Sequence, residues 1–279
     1  LSDRRQRQMC IRDRIYIFHM GLKIKEINDY LVFAKKLVNH AEQIIKKNPI
    51  NNLKVDFKFD KSPVTKIDKT IERNLRSLIK KKYPNHGIYG EEYTNKKINS
   101  SHVWVIDPID GTKNFINGNG SYGTLIALCI NSIPVFGIIN SPQLKKKWVG
   151  IRDNGAFCNG KKLKKLSTDL SLKDLFFSTS GMTAFRSSGK NKKYNSLVKK
   201  TQYVTLGGDC VQYGLLAEKR IPLVVESFLK PFDYLPLVNI IEETGGIITD
   251  WKGKALNFQS NGDVVASISK KAHKQFLKI

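Results

Sequence analysis

The stretch Val103-Trp104-Val105-Ile106-Asp107-Pro108-Ile109-Asp110-Gly111-Thr112 decides how the rest of the chain is interpreted. Its first four residues are apolar and mostly β-branched, which predicts a buried strand. Two carboxylates follow at its carboxyl end, where we expect Pro108 to end the hydrogen-bond ladder. Gly111-Thr112 then opens a turn or a helix whose free N–H groups could hold an anion. Carboxylates beside such a backbone nest suit a divalent metal and a phosphate together, although a plain polar turn is the alternative.

Composition limits the classes of protein to which the chain could belong. With 279 residues and 41% hydrophobic residues, it can bury a substantial core, as one large domain or as two packed halves. No apolar run approaches the roughly 20 residues of a membrane helix, so we expect no membrane segment. The four cysteines have no zinc-type or paired spacing, which favours reduced thiols and a cytoplasmic location.

The formal net charge of +24 raises the alternative of a basic, nucleic-acid-associated protein without enzymatic activity. The lysines are spread along the whole chain, however, and only ten of the 48 basic residues are arginine, the better reader of phosphates and bases. We therefore expect a solvated, lysine-rich surface that attracts anionic small molecules, and no nucleic-acid partner.

The amino-terminal residues differ in composition from the rest of the chain. Residues 1–14 hold five of the ten arginines, so we interpret residues 1–19 as foreign to the natural protein, which would begin at Met20. Residues 20–165 are expected to form an N-terminal α+β half that carries the metal motif, and residues 166–279 a C-terminal α/β half. A polar segment, residues 164–174, connects the two halves.

Hydrophobic periodicity predicts the order of helices and strands. Helices are predicted at residues 27–47, 70–82, 191–200, 211–217, 234–244 and 270–277, and strands at residues 55–59, 88–90, 125–130, 135–139, 148–151, 156–157, 176–180, 204–208, 221–226, 247–251 and 264–267. A mainly antiparallel first half followed by alternating strands and helices favours α+β and then α/β layers. Asp68 and Asp233 lie just before predicted helices and are therefore also candidate N-caps, and Pro236 is expected within a first turn.

Three further segments accompany the opening stretch. They are Thr65-Lys66-Ile67-Asp68, Gly90-Glu91-Glu92 and Lys230-Pro231-Phe232-Asp233. With these segments the chain resembles, from roughly residue 28 to the C-terminus, the inositol monophosphatase family of magnesium-dependent, lithium-sensitive phosphatases. It is most similar to the histidinol-phosphatase branch, through the segments 115–118, 123–128, 207–217 and 229–233. Phe232 departs from the Trp or Tyr that usually precedes the catalytic Asp.

The resemblance implies a layered αβαβα sandwich of the sugar-phosphatase class, with the active site between the two halves, and a homodimer. It implies two or three magnesium ions per site, with Glu91, Asp107, the Ile109 carbonyl, Asp110 and Asp233 as ligands. The implied catalytic residues are Thr112, supported by Asp68, together with Glu91 and Asp110. The phosphate would be held at Asp110, Gly111 and Thr112, and the rest of the substrate by Asp209, Glu226 and Asp233.

The identity of the esterified alcohol depends on Asp209 and Glu226, which would face the leaving group. Two acids there suit a cationic amino alcohol, so the resemblance implies hydrolysis of L-histidinol phosphate, a step of histidine biosynthesis, by metal-activated water. Inositol-1-monophosphatase activity is an alternative, because inositol needs only neutral contacts. A 3'(2'),5'-bisphosphate nucleotidase is another, because Lys230 could reach a second phosphate. Asp209 also has a plain interpretation as a turn residue after Gly207-Gly208.

Overall fold

The computed structural model describes residues 24–48, 55–57, 63–165 and 168–279. The segment that we interpret as foreign, residues 1–19, lies outside the described residues, and the division between residues 165 and 166 stays a prediction. The helices are α1 (Ile24–Lys47), α2 (Lys66–Lys82), α3 (Thr112–Ile116), α4 (Ser188–Lys200), α5 (Asp209–Ala217), α6 (Pro231–Glu242) and α7 (Lys270–Leu277). None of these described helices has the length and apolar composition that crossing a bilayer requires.

The first sheet has seven strands, which are β3 (Gly87–Gly90), β4 (His102–Asp110), β5 (Gly123–Ile130), β6 (Ile133–Ser141), β7 (Lys146–Ile151), β8 (Gly155–Cys158) and β9 (Lys161–Lys162). Their order in the sheet is the order in the chain, from β3 to β9. Strands β3 and β4 are parallel, and every other neighbouring pair is antiparallel. The predicted antiparallel character of the first half is therefore confirmed. A separate hairpin joins β1 (Val55–Phe57) to β2 (Pro63–Thr65).

The second sheet has five strands in the order β11-β10-β12-β14-β13. They are β10 (Phe177–Thr179), β11 (Val204–Leu206), β12 (Leu223–Glu226), β13 (Ile247–Asp250) and β14 (Val264–Ser267). The first three run parallel to one another, whereas β14 is antiparallel to both of its neighbours. The predicted α/β half requires parallel strands with helices between them, and β10, β11 and β12 have this arrangement.

Three apolar clusters show that helices and sheets form five layers. On one face of the first sheet, Leu37 of α1 and Ile71 of α2 belong to the same cluster as Trp104. On its other face, α5 and α6 lie between the two sheets, and Leu237 shares a cluster with strand residues of both. The outer face of the second sheet is covered by α4 and α7, with Phe276 fully buried. The predicted αβαβα sandwich is confirmed.

Glycines in the first sheet let α6 approach it closely. A Cβ atom at Gly137 would lie 1.8 Å from the carbonyl oxygen of Pro236, and one at Gly150 would lie 2.2 Å from the backbone nitrogen of Ile240. Real atoms do not approach so closely, so a side chain at either position would push the helix away. The sheet and the amino-terminal part of α6, which both carry predicted site residues, are thereby held in contact.

Strand β4 and the starts of two helices differ from the sequence prediction. Strand β4 continues through Pro108, because the missing N–H lies where the register with β5 shifts between Asp107 and Asp110. Helix α2 begins at Lys66 and α6 at Pro231, several residues before the predicted starts. Their N-caps are therefore the preceding residues rather than the predicted aspartates.

The two aspartates instead occupy the third helical position, where each accepts a hydrogen bond from the N-cap backbone. The bond from Thr65 N to Asp68 Oδ2 measures 2.8 Å, and that from Lys230 N to Asp233 Oδ2 measures 2.6 Å. Capping boxes of this kind satisfy N–H groups that the helix cannot. Pro236 consequently lies in the second turn of α6 rather than in the first.

Candidate active site

Three carboxylates, two from β4 and one from α6, meet beside the end of β4. One oxygen from each of Asp107, Asp110 and Asp233 lies within 4.8 Å of the others. The shifted register of β4 places Asp107 and Asp110 at one end of the first sheet, and the capping box of α6 directs Asp233 towards them. The structure thus brings together three of the residues that the sequence predicted as metal ligands.

These carboxylates crowd one another in a buried place. Burial, followed by the negative charge of Glu91, raises the pKa of Asp107 well above its usual value. Burial, followed by the charge of Asp209, does the same to the pKa of Asp110. The pKa of Asp233 is raised to about 6, again chiefly by burial. Acids packed in this way favour a positive group among them.

The donor set fits a hard divalent cation. The Oδ1 atom of Asp107 is buried and has no hydrogen-bond partner among the described residues, which leaves it available as a ligand. Glu91 lies close enough to Asp107 to raise its pKa through a side-chain contact as well as through charge. All the candidate ligand atoms are oxygen atoms, which magnesium prefers.

A buried glutamate that the sequence analysis missed holds the segment after β3. Glu72 accepts hydrogen bonds from the N–H groups of Glu92 and Tyr93, at 2.7 and 3.2 Å, and from Arg76 Nε at 2.7 Å. These contacts fix the chain immediately after Glu91. The signal was present in the sequence, because Glu72 adjoins Ile71 on the apolar face of α2 and has an arginine four residues later.

Thr112 and Asp68, which the resemblance places together, each bond to another partner in this structure. The Thr112 hydroxyl donates to the Ile109 carbonyl at 3.0 Å. Asp68 accepts instead from the backbone and hydroxyl of Thr65, at 2.8 and 2.5 Å, because it completes the cap of α2. Its second oxygen, Oδ1, is buried and has no partner among the described residues. Burial raises the pKa of Asp68 to about 6.

Gly111 and Thr112 lie at the start of the short helix α3. Gly111 is the N-cap, with φ of +84°, and a Cβ atom there would lie 2.6 Å from the carbonyl oxygen of Ser121. Both the left-handed conformation and the close approach require glycine. Helix α3 also packs against β2, and therefore lies next to the strand that ends at Thr65.

Asp209 begins α5 directly beside the three carboxylates. Its Oδ2 accepts a hydrogen bond from Asn114 Nδ2 at 2.5 Å, and the next backbone nitrogen, Cys210 N, donates to Asp110 Oδ2 at 2.5 Å. Burial raises the pKa of Asp209, although a hydrogen bond from Ser180 and the charge of Lys113 oppose this effect. The start of α5 thus supports Asp110 from the other half of the chain.

Glu226, at the end of β12, is buried and surrounded by donors. Its Oε1 accepts from the backbone and hydroxyl of Ser180, at 2.5 and 2.7 Å, and from Gln212 Nε2 at 2.5 Å. Its Oε2 accepts from the Thr179 hydroxyl at 3.3 Å. Burial raises the pKa of Glu226 to about 7 in spite of these bonds. Sequence reasoning gave no signal for Ser180 or Gln212, which are ordinary polar residues.

A cavity of about 250 Å³ opens where these residues meet, between the two sheets. Its acidic lining residues are Asp110, Asp209, Glu226 and Asp233, and Lys113 is the one basic residue among the described residues that line it. We call this space the acidic cavity. The expected position of the active site between the two halves agrees with it.

Comparison with known proteins identifies the family. Residues 26–279 match the sequence model of the inositol monophosphatase family. The Arabidopsis thaliana protein named bifunctional phosphatase IMPL2, chloroplastic, is 36% identical over 87% of this chain and 70% of its own. A histidinol-phosphatase of Mycobacterium tuberculosis is 29% identical over 82% of this chain and 90% of its own.

Solved structures agree with these relatives. The structure of an inositol monophosphatase from Zymomonas mobilis superposes with a TM-score of 0.80 and is 37% identical. The superposition covers 90% of this chain and 97% of the other. The chain therefore belongs to the inositol monophosphatase family, whose members are phosphatases.

Proposed function

We propose that the protein is a magnesium-dependent phosphomonoesterase that hydrolyses L-histidinol phosphate to L-histidinol and phosphate, a step of histidine biosynthesis. The observation that carries this proposal is the acidic cavity, where Asp209 and Glu226 lie beside the three clustered carboxylates. A dianionic phosphate next to further acids is unfavourable unless the rest of the substrate is cationic. Histidinol carries an amine and an imidazole, which supply such a charge.

Magnesium dependence is a property of the family, and the residues present fit the ion. We propose that Asp107, Asp110 and Asp233 hold it, with Glu91 and the Ile109 carbonyl as further ligands. When bound, magnesium neutralises the charge of the phosphate and activates water as the nucleophile. The buried Oδ1 of Asp107, which has no hydrogen-bond partner in the part of the chain that the structure describes, supports this assignment.

The remaining roles fall to the start of α3 and its surroundings. We propose that the N–H groups of Gly111 and Thr112, beside Asp110, orient the phosphate oxygens. The Thr112 hydroxyl donates to the Ile109 carbonyl. With substrate bound, it would turn to Asp68, take the proton of the attacking water and pass its own proton to Asp68 Oδ1, which has no hydrogen-bond partner among the described residues.

The leaving group would occupy the side of the acidic cavity formed by the second half of the chain. Asp209 and Asp233 would face its cationic group. Glu226 would contribute mainly charge and shape, because its oxygens already accept bonds from Thr179, Ser180 and Gln212. Such an environment favours an ammonium or imidazolium over a neutral polyol.

The decisive experiment compares three substrates with the purified protein in magnesium. We expect kcat/KM to be highest for L-histidinol phosphate, lower for inositol monophosphate, and lowest for a 3',5'-bisphosphonucleotide. Excess chelator should abolish all three activities. A higher kcat/KM for either alternative substrate would overturn the histidinol assignment, and activity in chelator would overturn the metal assignment.

Inositol-1-monophosphatase is the second candidate, and the similarity to the Zymomonas mobilis inositol monophosphatase favours it. The same comparison of substrates decides between them. We also propose inhibition by lithium and a homodimer. We propose a cytoplasmic location as well, which the free thiols of Cys129, Cys158 and Cys210 support. Light scattering at several protein concentrations measures the dimer, and a lithium titration of turnover measures the inhibition.

A further inference from the structure

Three exposed apolar residues are chain neighbours of residues that line the acidic cavity. Among the large apolar residues that the described chain exposes are Met182 and Leu206, each 56% exposed, and Phe228, 57% exposed. Each is adjacent in sequence to residues that line the cavity, namely Gly181 and Thr183, Gly207, and Ser227 and Leu229. The segments that line the acidic cavity therefore carry exposed apolar residues as well as acids, which a polyol substrate would not need.

Phe228 has an unusual backbone. Its φ is +65°, and it is the one aromatic residue with positive φ in the part of the chain that the structure describes. Bulky residues avoid this left-handed conformation, which persists only where the surroundings enforce it. Here the next residue, Leu229, donates a backbone hydrogen bond to the Gly262 carbonyl at 3.0 Å. The preceding Ser227 hydroxyl donates to Asp263 at 2.5 Å.

The ring of Phe228 is also held from one side. The ammonium of Lys190 lies 3.8 Å from the ring centroid, and it donates to the Ser227 hydroxyl at 2.5 Å and to Asp263 at 2.6 Å. A cation over an aromatic face is attracted by the π electrons. The ring is thus positioned before any ligand arrives, while more than half of the side chain stays in contact with solvent.

We propose that Phe228 is a specificity-determining residue that stacks its open face on a planar ring in the leaving group of the substrate. The substrate class is then a phosphate ester whose alcohol carries both a positive charge and an aromatic ring. The acids of the cavity take the charge, and Phe228 takes the ring. This inference rests on the proposed function and adds a residue that recognises the ring separately from the charge.

The test separates ring from charge with three substrates. Histidinol phosphate has both features, phenyl phosphate has the ring alone, and phosphoethanolamine has the ammonium alone. Phe228→Leu should lower kcat/KM about 2- to 12-fold for the two ring-bearing esters, the range expected for aromatic pairs, and leave phosphoethanolamine unchanged. Phe228→Tyr should retain wild-type values. Tyr203→Leu is the matched control, since Tyr203 is 54% exposed and adjoins none of the cavity residues.

Phe228→Gly adds a readout that a structural role would not give. Glycine adopts positive φ without strain, so this variant should melt about 2–4 °C higher than Phe228→Leu, which also lacks the ring, while losing the preference for ring-bearing esters. Equal losses on all three substrates, or no loss on any, would overturn the stacking role. If the Phe228 variants lose kcat/KM on phenyl phosphate while the wild-type protein does not hydrolyse histidinol phosphate, stacking is upheld and the proposed function is refuted.

Discussion

Replacing Glu72 by alanine should destabilise the protein strongly, because this carboxylate holds the segment that carries Glu91. Glu72 is fully buried and accepts hydrogen bonds from Arg76 Nε and from the N–H of Glu92, both at 2.7 Å. The N–H of Tyr93 donates to the same carboxylate at 3.2 Å, and Arg76 donates in turn to the Tyr93 carbonyl at 2.8 Å. One carboxylate thus joins α2 to the loop after β3.

The magnitude follows from the groups that alanine would leave without a partner. Removing one member of a buried ion pair costs about 3–5 kcal/mol, because the other charge stays uncompensated. For a chain of this size, a loss of this magnitude lowers the Tm by roughly 6–20 °C. Glu72→Gln keeps the shape and one acceptor oxygen, so we expect it to lose about 1.5–3 kcal/mol, the value of a hydrogen bond to a charged group.

Thermal unfolding and the magnesium dependence of turnover provide the assays. Asp169→Ala is the control, since Asp169 pairs with Lys271 at 3.8 Å and both side chains are exposed, where such a pair contributes about 1 kcal/mol or less. The Glu72 variants should also need more magnesium for half-maximal activity, because Glu91 is no longer held. A Tm of Glu72→Ala within about 2 °C of the control would refute the reasoning.

Three further predictions concern other residues. Asp107→Asn should lower kcat by orders of magnitude and weaken magnesium binding in calorimetry while the circular dichroism spectrum stays native; unchanged magnesium affinity would remove Asp107 from the metal site. Asp209→Asn should lower kcat/KM for histidinol phosphate about 10- to 150-fold, the effect of one charge-assisted hydrogen bond, but spare p-nitrophenyl phosphate; equal losses would make its role structural. The pKa of His273, hydrogen-bonded to Thr249 at 2.9 Å, is lowered by burial from 6.5 to about 4. The unfolded chain therefore binds the proton more readily, and stability should fall by about 2 kcal/mol between pH 8 and pH 5. His273→Gln should flatten this dependence in urea titrations, and an unchanged slope would contradict it.

Much of the fold could be predicted from the sequence because local patterns carry it. The helix α1 and the antiparallel strands β5 to β8 were predicted at nearly their observed positions, and β4 and α2 were predicted as a strand and a helix with different bounds. Hydrophobic periodicity and turn residues depend on a few neighbouring positions, so they predict well whether a segment is a helix or a strand. Element starts were less certain, because the capping boxes that set the starts of α2 and α6 depend on side-chain geometry.

The candidate site, like the fold, could be predicted only in part. The amino-acid sequence alone shows which carboxylates are available, namely Glu91, Asp107, Asp110 and Asp233, and the segments around them resemble the family that the comparison identifies. It also determined that a strand would end on two of them.

Which groups meet, and what each one bonds, depends on the packing of the fold. It paired Asp68 with Thr65 instead of Thr112, and it enclosed Glu226 among donors that include Gln212. It also set the N–H of Cys210 against Asp110, 100 residues away in the chain. The physical reason is that hydrogen bonds and charge interactions are short-ranged in space. Their partners are fixed by how sheets and helices pack, which no local pattern of residues specifies.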